Sequence, residues 1–448
     1  MSSSNASSAT RSRHIRRYRT LLLLAGVLAA MAWGAPPTGN TVAARTDAAT
    51  ATTPRNIHFF PSIPYEKAHP TACTTTCALM TFHGGTVQHA EKDYFIFWIP
   101  SGHYMPPSYR SGLNTWLADV AGDDYLPGDV FAVAQQYYDL TGPGSTQSFV
   151  PYAITSGAAI VDTDALPASS CTDSPAPVCI DDAQLRAEVQ HVITAHSLPQ
   201  NRNTQYIVFT PVNVGSCFTS TSSSCAYSQY CGYHGFFTGT AGQIVYANMP
   251  WLYGTSGCDV NMAFGTGFAN GSAIDPEVGV LSHELIETMT DPNLNAWFDS
   301  SGNEIGDKCA YIYGGGGYGS MTGLANNGLG FWNQGLVADE YLLQMEFSNR
   351  NSNGTSTGCV SSDSDTQPVV TISIVPNPPV HGSSAKFTAN ITDPYGVNLV
   401  QWTFGDGTTA TGNPVNHTYA TAGAKTVTVI VTDKHGNEKK VVETITVS

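Results

Sequence analysis

Ten cysteines, all lying between Cys73 and Cys359, limit what this chain can fold into more than any other feature. An even number of thiols at scattered spacings fits a disulfide framework of up to five bridges, built in an oxidising compartment. No CxxC pair occurs, which argues against a structural zinc site made of cysteines. Cys171 and Cys179 flank the loop TDSPAPV, whose prolines already turn the chain, and are expected to pair locally. Everything after Cys359 must be stable without a bridge.

The N-terminus points to the same compartment. A polar segment carrying Arg11, Arg13, Arg16, Arg17 and Arg19 precedes the apolar run Leu21 to Trp33 and a few small residues. That is the order of a secretory signal peptide, read here over residues 1–35, and it predicts a secreted protein. The apolar run falls short of the ~20 residues a spanning helix needs, so no stable membrane span is expected. After Arg16-Arg17 come Arg19 and Thr20 rather than the hydrophobic residue of a twin-arginine signal, which favours the general secretory route. Losing those five arginines leaves 14 Lys and Arg against 34 Asp and Glu, a net charge of about −20. Such a surface repels phosphate backbones, and with no basic stripe or Walker-type loop, nucleic acid is not an expected partner.

Residues 36–55 are rich in Ala and Thr and too poor in bulky apolar side chains to bury a core, so they read as a linker or short pro-segment. Patterned sequence then begins. DYFIFWI is a strand, SYRSGLNTWLADVA has helical spacing at Leu113, Trp116, Leu117 and Val120, DVFAVAQQYYD reads as a further helix, DAQLRAEVQHVITAH as another, and QYIVFTPV as a buried strand. This order predicts an α/β domain over residues 56–360, with a second linker at 361–367. Residues 368–448 alternate apolar and polar positions in VVTISIV, AKFTANITD, LVQWTFGDG, KTVTVIVTD and VVETITV, the pattern of a two-sheet sandwich.

Within that last segment, WTFGDGTTATGNPVNHTYATAGAKTVTVIVTD resembles the signature of the PKD domain family. The resemblance implies an all-β sandwich in which Trp402 and Phe404 are core residues and Gly405-Asp406-Gly407 is a tight turn. It also implies a spacer or accessory binding role in a secreted protein, which leaves the chemistry to the larger domain. Asp406 is expected to bond its own turn rather than to hold calcium.

The stretch that carries chemistry is AIDPEVGVLSHELIETMTDPNLNAWFDSSGNEIGDKC, 273–309. Asp275-Pro276-Glu277 reads as a helix start, with Asp275 capping and an acid at the positive end of the dipole, and Asp291-Pro292 as its stop. At 100° per residue, Val278, Leu281, Leu285 and Met289 form an apolar stripe, with His283 and Glu287 together on the opposite side. His283, Glu284 and Glu287 spell HExxE. In zinc peptidases with HExxH, side chains at i and i+4 bind one metal and the Glu at i+1 polarises the attacking water. Here a carboxylate takes the place of the second imidazole, which zinc accepts. Chance alone would place HExxE in a chain of this composition only about 0.01 times. A solvated polar helix face is the bland alternative.

A third ligand must come from outside the helix if one position is to stay open for water. Asp307, in EIGDKC beyond a Gly-rich turn and tethered by Cys309, is the residue expected; Asp291, Asp299, Glu304 and His234 compete with it. The fold class that follows is α/β, zincin-like, then an all-β PKD-type sandwich. The function expected is a zinc-dependent, peptidase-like hydrolase, with zinc on His283, Glu287 and Asp307 and with Glu284 as general base.

The larger domain has a resemblance of its own. MTFHGGTVQ, YCGYHGFF, TMTDPNLNAWFD and YIYGGGGYG resemble the Exordium, or phosphate-induced protein, family of secreted plant proteins and its microbial relatives, in short blocks spread over residues 78–335. This resemblance implies an extracellular partner, either protein or cell-wall polysaccharide, and keeps open a non-catalytic binding role. His83 and His234, inside those blocks, are read as structural, and Gly314 to Gly317 as a flexible loop or the lining of a cleft. A glycosidase would need a carboxylate pair across a cleft, and nothing in the sequence selects one.

Overall fold

Period-two burial explains the central sheet. In the computed structural model Phe95 and Phe97 point into one core while Tyr94, Ile96 and Trp98 point into another, so their strand is sandwiched between two layers. The structure describes residues 57–448 except 76, 124–127, 143–144, 175, 338, 353–356, 363–364 and 366. The expected signal peptide and the segment 36–55 lie outside the described residues.

Seven strands form this sheet: β1 (Ile57–Pro61), β2 (Glu91–Trp98), β3 (Ile154–Ser156), β4 (Ile160–Asp162), β5 (Thr204–Phe209), β6 (Tyr230–Thr238) and β7 (Gln243–Met249). Their spatial order is β1-β6-β7-β5-β2-β3, with β4 also on β2. The β7, β5, β2, β3 and β4 pairings are parallel, and the β1-β6 and β6-β7 pairings are antiparallel. Three helices cover it. α1 (Pro107–Gly122) and α3 (Asp275–Thr290) share one core with the Phe95 face, and α2 (Asp182–His196) packs Leu185, Val189 and Ile193 on the other. The domain is therefore mixed α/β, as its alternating strand and helix signals require.

One element departs from expectation. DVFAVAQQYYD is not an α-helix but a short 3-10 turn (Phe131–Gln136) leading into a strand (Tyr138–Gly142). Every residue of the turn is buried, so no polar face marks a helix. Asp129 accepts from the backbone N–H groups of Phe131 and Ala132, and Tyr138 pairs with Phe149, which fixes the chain out of helical register.

All ten cysteines are paired: Cys73–Cys77, Cys171–Cys179, Cys217–Cys225, Cys231–Cys258 and Cys309–Cys359. Among the described residues no helix is long and apolar enough to cross a membrane.

The C-terminal segment has its own core of Phe387, Trp402, Phe404, Val427, Val429 and neighbouring aliphatics. It consists of a three-stranded and a four-stranded antiparallel sheet. Asp406 accepts from the N–H of Thr408 at 3.1 Å and lies 2.9 Å from His417 Nε2, so it braces its own turn. The turn at Gly436 (φ +90°) docks on the larger domain so closely that a Cβ there would lie 2.0 Å from the Gln135 carbonyl oxygen. Beside it, Asp365 pairs with both Arg350 and His435.

Candidate metal centre

Helix α3 starts and stops where the sequence places it, but its first turn differs in detail. Asp275 does not cap the helix; its carboxylate accepts from the N–H groups of Asn270 and Ser272 and closes the preceding loop. Pro276 sits in the first turn, where its missing N–H costs nothing. At the other end Asp291 accepts from the N–H groups of Asn295 and Ala296 at 2.6 and 2.7 Å and turns the chain back.

The solvated-face alternative fails, because all sixteen residues of α3 are buried. The apolar stripe of Val278, Leu281, Leu285 and Met289 enters the core, while His283, Glu284 and Glu287 face other ionisable groups rather than water. One wall of this polar interior comes from the antiparallel pair β1-β6, whose register sets His58 directly opposite His234. The other comes from the segment 304–307 and from Gln344 and Glu346.

Glu287 is the hub. Its Oε1 lies 3.1 Å from His283 Nε2 and accepts from Asp307 N–H at 3.1 Å, and its Oε2 lies 3.6 Å from His234 Nδ1. Donor atoms converge within 4.8 Å in three overlapping groups, and Glu287 belongs to each: His283 with Glu284, His58 with Asp307, and His234 with Glu304. His58 Nε2 is 2.5 Å from Asp307 Oδ2, and His58 Nδ1 is 3.6 Å from Glu304 Oε1.

The chemistry of the donor set fits a divalent cation. Glu287 Oε2, His234 Nε2 and Glu304 Oε2 are buried without a hydrogen-bond partner, and His283 Nε2 has only Glu287 Oε1, at 3.1 Å. Orphaned polar atoms in a core are costly, and imidazole nitrogens facing carboxylate oxygens are what zinc takes. His283 Nδ1, on the far side of the ring, lies 2.9 Å from the Gln344 side-chain amide, whose Nε2 also donates to the Gly306 carbonyl; an imidazole bound to metal through Nε2 carries its proton on Nδ1 and needs an acceptor there, which this amide supplies only with its Oε1 turned toward the ring.

A cavity of about 280 Å³ reaches the cluster from outside, with His58 and Asp307 among its lining together with Tyr65, His69, Thr71 and Asn303. His58 is the most exposed member of the cluster, its side chain 22% accessible.

Electrostatics divide the cluster. Burial works to lower the His283 imidazole, yet the carboxylates of Glu287, Glu284 and Asp307 outweigh it and its pKa rises to about 9. Burial pushes Glu284 up to about 8 and His234 down to about 3. Burial also opposes ionisation of Asp307, but the adjacent His58 holds its carboxyl below the usual range. In His58 itself burial is outweighed by Asp307, Glu304 and Glu287, and its pKa is raised well above normal.

The four residues singled out from sequence are thus neighbours, with two qualifications. Asp307 shares a donor group with Glu287 and His58, not with His283. Glu284 is fully engaged, its Oε1 accepting from Phe60 N–H at 3.0 Å and its Oε2 lying 3.0 Å from His234 Nδ1. Of the competitors, Glu304 and His234 are inside the cluster; Asp299 is not, being paired with Lys308 at 2.7 Å. His234, read as structural, is a donor here, whereas His83 stacks on Phe298 at 3.6 Å near the surface, as a structural residue would. His58 was missed altogether. Its only signal is its register opposite His234, which a single sequence does not display. Gly314 and Gly315 line a separate cleft of about 450 Å³ with Tyr313, Thr322 and Trp332.

Comparison with known proteins bears first on the sandwich. The family described as PKD domain matches residues 365–448. Those residues are a PKD domain. The PKD1 domain of the Vibrio cholerae metalloprotease PrtV is 30% identical, covering 18% of this chain and 99% of that one at a TM-score of 0.17. Over 77 residues the chain is 36% identical to Protein EXORDIUM-like 3 of Arabidopsis thaliana, which is 16% of this chain and 23% of that protein. The chain spans less than a quarter of the length of the curated relatives it matches. Wild-type OgpA from Akkermansia muciniphila aligns over 80% of this chain and 92% of its own, at 10% identity and a TM-score of 0.22, too loose a superposition to bear on chemistry. A PKD domain beside a five-bridge disulfide framework fits an extracellular protein.

Proposed function

We propose that this is a secreted zinc-dependent hydrolase of zincin-like, peptidase-like character, with its reaction centre on α3 and the PKD domain as an accessory module. The observation that carries the reading is the convergence of buried donor atoms of His283, Glu284 and Glu287 within 4.8 Å of one another, set beside a cavity that opens at Asp307. His283 and Glu287 would hold the cation, and Asp307, whose donor group is the one with Glu287 and His58, would have to close on it from the cavity side. Bound zinc would lower the pKa of its water and polarise a scissile carbonyl. The residues of the chain supply the rest. Gln344 and Gly306 fix the His283 ring, and Phe60 packs edge-on against it at 4.7 Å. The Glu284–His234 contact at 3.0 Å is the place where a proton can be taken up and returned, which is the base role assigned to Glu284. A segment of a protein or of a wall polysaccharide would approach through the cavity on the His58–Asp307 side.

A second reading, a non-catalytic extracellular binding protein, has one observation in its favour: both Glu284 oxygens already have partners, leaving none free for water. Turnover of casein and peptide libraries by the purified chain, abolished by a chelator and by Glu284→Gln, is the outcome expected of the hydrolase. Retention on insoluble wall material with no turnover, unaffected by Glu284→Gln, would establish the binding protein instead.

A further inference from the structure

One cation does not use what the interior of this site contains. Seven side chains converge on it: the imidazoles of His58, His234 and His283 and the carboxyls of Glu284, Glu287, Glu304 and Asp307. The side chains of His234, His283, Glu284 and Glu287 are fully inaccessible, and those of Glu304 and Asp307 are 3% and 5% exposed. A single zinc needs three protein ligands and an open position. The set chosen from sequence, His283, Glu287 and Asp307, leaves His234 Nε2 and Glu304 Oε2 buried and unpartnered 3.9 Å apart. Nothing in the mononuclear reading accounts for that second pair.

We propose that the site holds two divalent cations bridged by the Glu287 carboxylate, the first on the His283 side of the hub and the second on His234 and Glu304. This rests on the hydrolase reading above and extends it to the two-metal class of hydrolytic sites, in which cations ~3.5–4 Å apart share the attacking and leaving oxygens. The two Glu287 oxygens face different partners, Oε1 lying 3.1 Å from His283 Nε2 and Oε2 3.6 Å from His234 Nδ1, while His234 Nε2 turns to Glu304 at 3.9 Å. The contact of His58 Nδ1 with Glu304 and of His58 Nε2 with Asp307 joins the two halves at the cavity.

The test is the metal-to-protein ratio of the full chain after saturation with zinc alone and desalting, measured by elemental analysis. A ratio of two is expected, falling to one in His234→Ala and in Glu304→Gln while the circular dichroism spectrum is unchanged. A ratio of one in the wild type overturns the second cation and leaves the hydrolase reading standing, whereas a ratio of zero overturns both. Because either variant could fail to fold, the wild-type protein loaded with manganese(II) gives an independent readout. Paramagnetic resonance of a spin-coupled pair is expected, and signals from isolated ions only would overturn the bridge.

Discussion

Gly306 sits against the face of the His283 ring, and replacing it with alanine perturbs the metal centre without touching a ligand. Its backbone is ordinary (φ −75°), so alanine meets no conformational penalty. Space is the obstacle. A Cβ at this position would lie 2.3 Å from His283 Nδ1, 2.7 Å from Cε1 and 2.9 Å from Cγ. Carbon atoms in contact keep ~3.5–4 Å apart, so the ring must retreat by about 1 Å. The ring is already in contact with Phe60, edge-on at 4.7 Å between ring centroids, and has little room to move. Overpacking of this kind costs about 1–3 kcal/mol in stability. Metal binding should suffer more than folding, since ligand distances are held to about ±0.2 Å and loss of an orienting partner such as Gln344 alone weakens a site about 10–100-fold. Competition titration against a chromogenic chelator would give zinc affinity, and thermal unfolding of the metal-free protein the stability. Affinity reduced at least tenfold with modest loss of stability is expected. Wild-type affinity in Gly306→Ala would refute the placement of His283 as a ligand.

Three further outcomes follow from the fold. Replacing Cys309 and Cys359 by serine opens a loop of sequence separation 50 and should cost about 4 kcal/mol in the chain-entropy account, seen as a lower urea midpoint, and it should loosen Asp307, two residues from the bridge. Asp129 is pushed up to about 7 by burial, against the lowering effect of its bonds from Tyr152, Ala132 and Phe131. Since the folded protein holds that proton more tightly than the unfolded chain, stability is greatest below pH ~4 for this group and is lost as pH rises to about 7, by up to about 4 kcal/mol. Melting temperatures at pH 5 and 8 should therefore differ more in the wild type than in Asp129→Asn. Gly436→Val, with its Cβ against the Gln135 carbonyl, should undock the PKD domain, raising the radius of gyration in small-angle scattering while zinc content stays the same.

The sequence carried the parts of the account that repeat or have a period. The helical spacing of α1, the apolar stripe of α3, the alternation of the sandwich and the local Cys171–Cys179 bridge are all local patterns, and each was readable. What escaped was decided by packing across the chain. The 3-10 turn at Phe131–Gln136 is buried on every side and so lacks the polar face that marks a helix. His58 gains meaning only from strand register, across a sequence separation of 176 to His234. The helix wheel placed His283 and Glu287 together correctly but implied water outside them; the segment 304–307 and Gln344 occupy that position instead. HExxE gave the hub, and the tertiary fold supplied the histidines around it.

X-ray absorption at the zinc edge of the purified full chain tests the central claim most directly, since it reports both the presence of the metal and the atoms bound to it. The account predicts an edge at stoichiometric intensity with a first shell of nitrogen and oxygen alone at ~2.0–2.2 Å, every cysteine being held in a disulfide. No edge, or sulfur scattering at ~2.3 Å, would contradict it.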